Sequence, residues 1–547
     1  MSIDKKGKNM FNKTLFLGLM PFWSPLSPPL GISVLKSYLE KKGIHVHIYD
    51  FNTEDELWEM GNKYFNIIMG AIPDNNQMNF YMIGYDVFSN HLTIYIHKKN
   101  NDNYYQLIKT LIWKNYYVEI GDNIMRELDR IISEFYSVLN SSLLRIFENG
   151  DPDIFGLSVY STSLGPSLHA FKIIKQKYPH IKTIMGGGIF ADHLSFDSPN
   201  FSKFLERTES YIDTIIIGEG EILLEKYLLE DFEENKRVYS LKDIDGENLD
   251  LNSITAPNFN GLNLSAYSQM AIYATRSCPF QCGFCSETVQ WGKFRKKKGT
   301  QIAEEIAHIK KNHGGKLFMF GDSLLNPVIT EFSHNLIESG INVFGDGYLR
   351  ISPDLCEGDH VEIWRKAGLY RVRLGIESGS QHVLDLMNKN ITVEQIKKAI
   401  SALAKFGIKT TTYWVIGFPG ETEDDFSQTI ELLKEIKDDI YEADWHPFYF
   451  FPKGQVSSEI WTEKYGIELL YPEEFSDMIL TQTWILKTNP AREEIYARLN
   501  RFGEACKKLN IPNPYSMMDI YQADKRWKKL HPKAGPTILD LHNYKHV

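Results

Sequence analysis

Short apolar runs that end in small residues alternate with segments of helical period along most of this chain. That alternation points to parallel strands joined by crossover helices, since each strand–helix–strand unit brings the chain back to the same edge of a sheet. Residues 14–20 form the first run. Residues 31–42 follow with Ile32, Leu35 and Leu39 at helical spacing, and residues 44–49 read as the next strand. A loop rich in Pro and Ser, 21–29, joins the first strand to that helix. The pattern resumes with strands at 154–159, 183–185 and 214–217 and a helix at 168–177. Two of these strands end in Gly186-Gly187-Gly188 and Gly218-Glu219-Gly220-Glu221. Strand ends of this kind form the ligand-binding edge of an open parallel sheet, although any one such glycine motif also suits a plain tight turn.

A second series has candidate strands at 271–275, 316–319, 343–348, 371–374, 411–415 and 445–450, with helices at 301–312, 392–406 and 424–436. About six repeats predict a partial or full barrel of parallel strands. Residues 51–150, rich in Asn, Tyr and Ile and helical at 122–145, read as an insertion in the first domain. They carry too many large apolar residues for a disordered linker. The expected organisation is an α/β domain over 1–250, a linker at 251–267, a partial (β/α)6 barrel over 268–460 and a mostly helical segment over 461–547.

Composition adds a few bounds. The chain has 547 residues, 43% apolar and 24% charged, as in an ordinary globular protein. Its formal charge of −10 argues against a general nucleic-acid binder. Five cysteines, three of them between 278 and 285, are no disulfide framework and suit a reducing compartment. Residues 1–13 are polar and basic, and the apolar run at 15–20 is too short for a signal peptide or a membrane span. A cytoplasmic location is expected.

The string Arg276-Ser277-Cys278-Pro279-Phe280-Gln281-Cys282-Gly283-Phe284-Cys285 carries the chemistry. Three thiols spaced C-x₃-C-x₂-C follow a strand, and thiolates suit iron–sulfur clusters or zinc. A structural zinc site needs a fourth ligand. The remaining cysteines, Cys356 and Cys506, are far downstream. A zinc knob would therefore need a distant Cys or His, whereas three ligands on a four-iron cluster leave one iron open to a substrate or cofactor.

The spacing, with an aromatic before the last cysteine, resembles the radical S-adenosylmethionine superfamily. That resemblance implies a [4Fe–4S] cluster on Cys278, Cys282 and Cys285, with S-adenosylmethionine chelating the open iron and yielding a 5′-deoxyadenosyl radical on one-electron cleavage. Further strings resemble the family in order. Residues 291–295 and 304–306 match the stretch after the cluster loop, and Phe320-Gly321-Asp322-Ser323 matches the sulfonium's amino-group site. Arg350 matches a partner of the methionyl carboxylate, Glu377 and Ser378 in Gly375–Ser380 match the ribose string, and Gly417 in Val415–Thr422 matches one near the adenine. Phe284 is carried over as a cofactor contact. The basic run 295–298 reads mainly as a solvated face, with Arg295 a lesser candidate for holding the cluster or cofactor.

The first domain resembles the Rossmann-like cobalamin-binding domain that precedes many members of that superfamily, over roughly 14–50 and 151–235. Ser158, Ser161, Gly187 and Gly188 are the positions that the resemblance implies for cobalamin. The Asp-x-His-x-x-Gly motif that ligates cobalt from below is absent, and His45 and His47 read as strand residues. Three functions follow from the resemblance. One is cobalamin-dependent methylation of a peptide, natural-product or lipid-precursor carbon. Another is radical epimerisation or rearrangement, with Cys356 or Cys506 as hydrogen donor and a vestigial first domain. A third is a non-catalytic iron–sulfur scaffold or redox sensor. An electron donor such as flavodoxin or ferredoxin is implied as partner. His446, in the stretch expected to line the barrel mouth, is a candidate substrate contact or an ordinary structural histidine.

Overall fold

The computed structural model describes residues 13–22, 26–77, 79–149, 152–246, 249–476, 480–532 and 535–536. Residues 1–12, part of the expected 21–29 loop and the end of the C-terminal segment, 537–547, lie outside the described residues.

The first sheet contains β1 (Leu15–Leu19), β2 (Val46–Asp50), β3 (Ile154–Ser158), β4 (Lys182–Gly186), β5 (Thr214–Ile217) and β6 (Val238–Ser240), in the order β2-β1-β3-β4-β5-β6. Every pairing is parallel. The five residues of β1 are all buried, as both faces of a parallel sheet require. Helix α1 (Leu30–Lys41) crosses from β1 to β2. Strand β6 falls in a stretch whose sequence shows only weak periodicity.

Four helices fill the interval between β2 and β3: α2 (Asp55–Ala71), α3 (Phe80–Lys98), α4 (Tyr104–Tyr116) and α5 (Asp122–Arg145). In α5, Met125, Leu128, Ile132, Phe135, Leu139 and Leu143 recur at helical spacing and are buried. The bundle also encloses His91, whose ring bonds the hydroxyls of Tyr64 at 2.9 Å and Tyr104 at 2.8 Å. Burial drives His91 down to about 3, so it stays neutral.

The second sheet contains β7 (Met270–Ile272), then, after the short antiparallel pair β8 (Thr275–Arg276) and β9 (Arg295–Lys296), the strands β10 (Leu317–Phe320), β11 (Phe344–Leu349), β12 (Leu369–Glu377), β13 (Lys409–Ile416) and β14 (Glu442–Pro447). Its six parallel strands lie in chain order from β7 to β14, the topology of a partial barrel. The outer helices are firmly started. Thr392 and Thr422 form reciprocal capping boxes with Gln395 and Asp425, worth roughly 1 kcal/mol each. The last strand ends at Pro447, so the aromatic residues 448–450 form a loop at the barrel mouth and the strand begins earlier than expected, at the polar Glu442-Ala443-Asp444. The C-terminal segment includes helices Arg492–Lys508 and Met517–Leu530 and an unexpected hairpin of β15 (Ile467–Leu469) and β16 (Trp484–Leu486). Among the described residues no helix is long and apolar enough to cross a membrane.

Candidate active site at the barrel mouth

The three cysteines lie on the loop between β8 and β9. Cys282 is buried, and Cys278 and Cys285 are half-buried. The Cys285 N–H donates to the Cys282 carbonyl at 3.0 Å, which folds the tip into a turn. Two outside segments fix the tip through three bonds. Gly283 donates to the Met387 carbonyl at 2.9 Å, Ser457 donates to the Gly283 carbonyl at 3.0 Å, and Gln455 Nε2 donates to the Phe284 carbonyl at 2.9 Å. Burial pushes the Cys278 thiol up and the Cys285 thiol up to about 12. Ligation as thiolate therefore releases protons. Among the described residues no three His, Cys, Asp or Glu side chains converge as ligands of one metal ion.

Two orphaned polar atoms lie beside this loop. Arg350, at the end of β11, donates through Nη1 to Cys282 Sγ at 3.3 Å and covers the Phe280 ring at 4.0 Å, while its buried Nη2 has no partner among the described residues. Asp322 accepts from the Ala274 N–H at 2.6 Å and from the Thr275 N–H through Oδ1, and its buried Oδ2 has no donor among the described residues. Burial holds the Asp322 carboxyl up at about 7 despite those donors. A soft three-thiol set beside an unsatisfied guanidinium nitrogen and carboxyl oxygen fits a cluster with a zwitterionic ligand on its open iron.

The other residues expected to contact S-adenosylmethionine differ in how free they are. Glu377 has φ of 65° at the end of β12 and pairs with Lys389 at 2.5 Å. Lys389 also covers the Phe284 ring at 5.6 Å. The Ser378 hydroxyl is engaged within the turn, with Thr429 Oγ1 at 3.1 Å and the Ser380 N–H at 3.1 Å. Gly417 has φ of 78°, and a Cβ there would lie 2.4 Å from Ile495, so this position demands glycine. Its N–H donates to Glu421 at 2.9 Å, and Glu421 pairs with the buried Arg498 at 2.8 Å. Ser378 and Gly417 therefore shape the two turns.

The interior of the barrel is ionic. Arg373 pairs with Asp346 through Nη2 at 2.9 Å and donates to the Tyr413 hydroxyl at 3.3 Å, and Arg371 pairs with Glu442. Nearer the mouth, Asp444 accepts from Tyr515 at 3.1 Å and from Asn79 at 3.2 Å. The His446 ring stacks 6.0 Å from Tyr449, whose hydroxyl donates to Asp86 at 2.8 Å. Burial pushes both Asp86 and Asp444 up to about 6. Asn79, Asp86 and Asn90 all come from the insertion or its approach, and Asn90 donates to Thr481 at 2.7 Å. The insertion thus walls the barrel mouth, a role invisible in its local sequence.

The first sheet meets the cluster loop at its glycine-rich edge. Gly187 has φ of 112°, and a Cβ there would come within 2.5 Å of the Val159 backbone. A Cβ at Gly188 would meet Tyr160 at 2.8 Å and Gln290, beyond Cys285, at 3.9 Å. Ser158 and Ser161 at the same edge are half-buried. His47 is exposed on β2, and His45 precedes that strand.

The basic run 295–298 is solvated at Lys296 and Lys298, as expected, but not at the other two positions. Lys297 is fully buried, pairs with Glu305 at 2.7 Å and lies 3.6 Å from the Tyr273 ring centre. Arg295 pairs with Glu219 of the first domain, and Arg276 contacts Glu219 at 3.1 Å and pairs with Glu221. The two glutamates of Gly218-Glu219-Gly220-Glu221 thus serve an interdomain ion cluster that short-range patterning cannot reveal. The two spare thiols are engaged elsewhere. Cys356 donates to the Gln395 carbonyl of the neighbouring helix at 3.4 Å, and Cys506 is buried in the main apolar core, which pushes its thiol far up.

Residues 272–433 match the model of the Radical SAM superfamily. An anaerobic magnesium-protoporphyrin IX monomethyl ester cyclase of Rubrivivax gelatinosus is 27% identical over 335 residues, covering 56% of this chain and 58% of that protein. The chain spans a little over half the length of such curated relatives. Among solved structures, the radical S-adenosylmethionine methyltransferase TsrM of Kitasatospora setae, with cobalamin and a [4Fe–4S] cluster bound, superposes with a TM-score of 0.58 at 13% identity, covering 95% of this chain and 98% of that one. OxsB, a cobalamin-dependent S-adenosylmethionine radical enzyme, superposes with a TM-score of 0.51 at 15% identity over 91% of this chain and 56% of its own. These two likenesses concern the fold. The family match falls on the barrel that presents Cys278, Cys282 and Cys285, so residues 272–433 of this chain form a Radical SAM domain.

Proposed function

We propose that this enzyme carries a cobalamin at the glycine-rich edge of its first domain and methylates a carbon of a peptide or natural-product substrate. One observation carries the reading: Gly188 at that edge lies beside Gln290 on the cluster loop, so a group held there faces the cluster side of the barrel mouth. Ser158, Ser161, Gly187 and Gly188 would hold the corrin and its nucleotide tail. Cys278, Cys282 and Cys285 would hold the cluster, with Arg350, Asp322, Glu377 and Phe284 around S-adenosylmethionine and the Ser378 and Gly417 turns enclosing it. When bound, these groups supply a 5′-deoxyadenosyl radical and a transferable methyl group. The chain itself orients the substrate against Tyr413, Asp444 and His446, and the insertion excludes water.

Radical epimerisation with a thiol donor gains no support from the positions of Cys356 and Cys506. Anaerobic reconstitution with iron, sulfide and hydroxocobalamin tests the reading. Retention of the corrin after desalting, with 5′-deoxyadenosine and S-adenosylhomocysteine both formed on reduction with substrate, is the expected result. A protein that cleaves S-adenosylmethionine yet retains no corrin would sink the methyltransferase reading.

A further inference from the structure

The cysteine loop is closed at its neck by β8 and β9, which pair antiparallel and set Arg276 directly opposite Arg295. Like charges at directly opposed positions repel, so this neck is unfavourable on its own. Both guanidiniums are largely buried, which adds a desolvation cost. The compensation comes from the other domain. Glu219 lies between the arginines, with Oε2 3.1 Å from Arg276 Nη1 and 2.9 Å from Arg295 Nη1, and Glu221 pairs with Arg276 Nη2. Burial opposes ionisation of Glu221, but the Arg276 and Arg295 cations outweigh it and hold that carboxyl below its ordinary range. Tyr273 at 4.9 Å and Trp291 at 5.5 Å lie against the Arg276 guanidinium. The Ser277 hydroxyl donates to the Gly292 carbonyl at 2.6 Å just inside the neck.

We propose that Glu219 and Glu221 are positioning residues for the iron–sulfur cluster: the first domain supplies the two anions that let the neck of the cysteine loop close. Cys278 is two residues from Arg276, so an open neck displaces the first cluster ligand. The first domain is then part of the cluster site whatever it binds, including in a chain that holds no cobalamin.

The test uses the full-length protein with Glu219→Gln and Glu221→Gln combined, which preserves shape and removes both anions. Hydrogen exchange is followed over 277–294, with β12 and β13 as internal controls, and iron release from the reconstituted protein is timed under a chelator. Exchange in the loop and iron release should each accelerate about tenfold or more while β12 and β13 keep their protection. Wild-type exchange in the loop together with wild-type iron retention would overturn the proposal. If the double variant loosens throughout, Arg276→Lys decides. It keeps the charge but loses the fork that reaches two carboxylates. Acceleration confined to the loop then supports the proposal, and wild-type exchange there overturns it.

Discussion

The two six-stranded parallel sheets of this protein bury opposite kinds of residue. The first is open, and β1 is apolar along its whole length because helices cover both faces. The second curves on itself, and its interior holds Asp346, Arg371, Arg373, Glu442 and Asp444, all buried. An open sheet offers chemistry only at its loop edge, so its functional residues are glycines and serines that admit a ligand to the backbone. A curved sheet has an inside, and side chains on the strands themselves carry its polarity. The cysteine loop lies where these two designs meet, clamped by glutamates of the first and capped by residues of the second.

Breaking that meeting point has the largest expected effect. Replacing Cys278, Cys282 or Cys285 with Ser should abolish both the cluster chromophore and cleavage of S-adenosylmethionine. The circular dichroism spectrum should stay unchanged, because the loop is held by backbone bonds to Met387 and Ser457 and by the Gln455 side chain. Retained cleavage in any of the three would refute the cluster assignment. Next in size is the barrel interior. Arg373→Met leaves Asp346 ionised and buried without its partner, at a cost of about 3–5 kcal/mol in urea unfolding. In the first sheet, Leu17→Ala removes only apolar contacts and should cost about 2–5 kcal/mol, with no change in pH dependence. If the two variants shared one pH profile, the contrast between the sheets would fail.

Much of this contrast was legible in the sequence, and what was hidden has physical causes. The cysteine loop could be read because its three ligands are local. The strands of both sheets could be found because apolar runs mark buried strands, and Thr214–Ile217 and Asp122–Arg145 were legible to the residue. Strand β14 was displaced in the reading because Glu442 and Asp444 point polar groups into a curved sheet while the aromatic residues beyond Pro447 are a loop. The three-residue strands β6, β15 and β16 are too short for any period to register. The clamp of Glu219 and Glu221 on Arg276 and Arg295 joins segments more than fifty residues apart, and the partners look like turn glutamates and a basic patch. The insertion's contacts rest on single polar residues on or just before α3: Asn79 and Asp86 reach Asp444 and Tyr449 at the barrel mouth, and Asn90 reaches Thr481 of the C-terminal segment.

A smaller effect sharpens the inside of the barrel further. Asp444 is buried and its carboxyl sits at about 6, against an ordinary value of 3.8. The folded state therefore binds this proton more tightly than the unfolded chain. The stabilisation is present in full below about pH 4 and is lost as pH rises through about 6. Asp444→Asn removes that dependence. Relative to wild type it should gain stability between pH 4 and pH 7, up to about 3 kcal/mol, less what the lost hydrogen bond to Tyr515 contributes. Thermal melts of both proteins across that range would show it, and a constant difference would mean that Asp444 titrates normally.

The smallest effect tests the loop edge of the first sheet. Gly187 combines a φ of 112° with a Cβ direction aimed at the Val159 backbone, so Gly187→Ala carries strain of about 1–3 kcal/mol. Gly186 beside it has no such φ, and its Cβ would lie 3.4 Å from the Ile216 carbonyl, a tolerable contact. Gly186→Ala should therefore melt close to wild type while Gly187→Ala melts several degrees lower. If the edge holds a corrin, Gly187→Ala should also weaken its retention after desalting, because the strain is relieved by moving the Val159–Tyr160 backbone. Cleavage of S-adenosylmethionine without substrate, which depends on the barrel side, should persist in both variants. Loss of that cleavage in Gly187→Ala alone would show that the loop edge and the barrel interior act as one site.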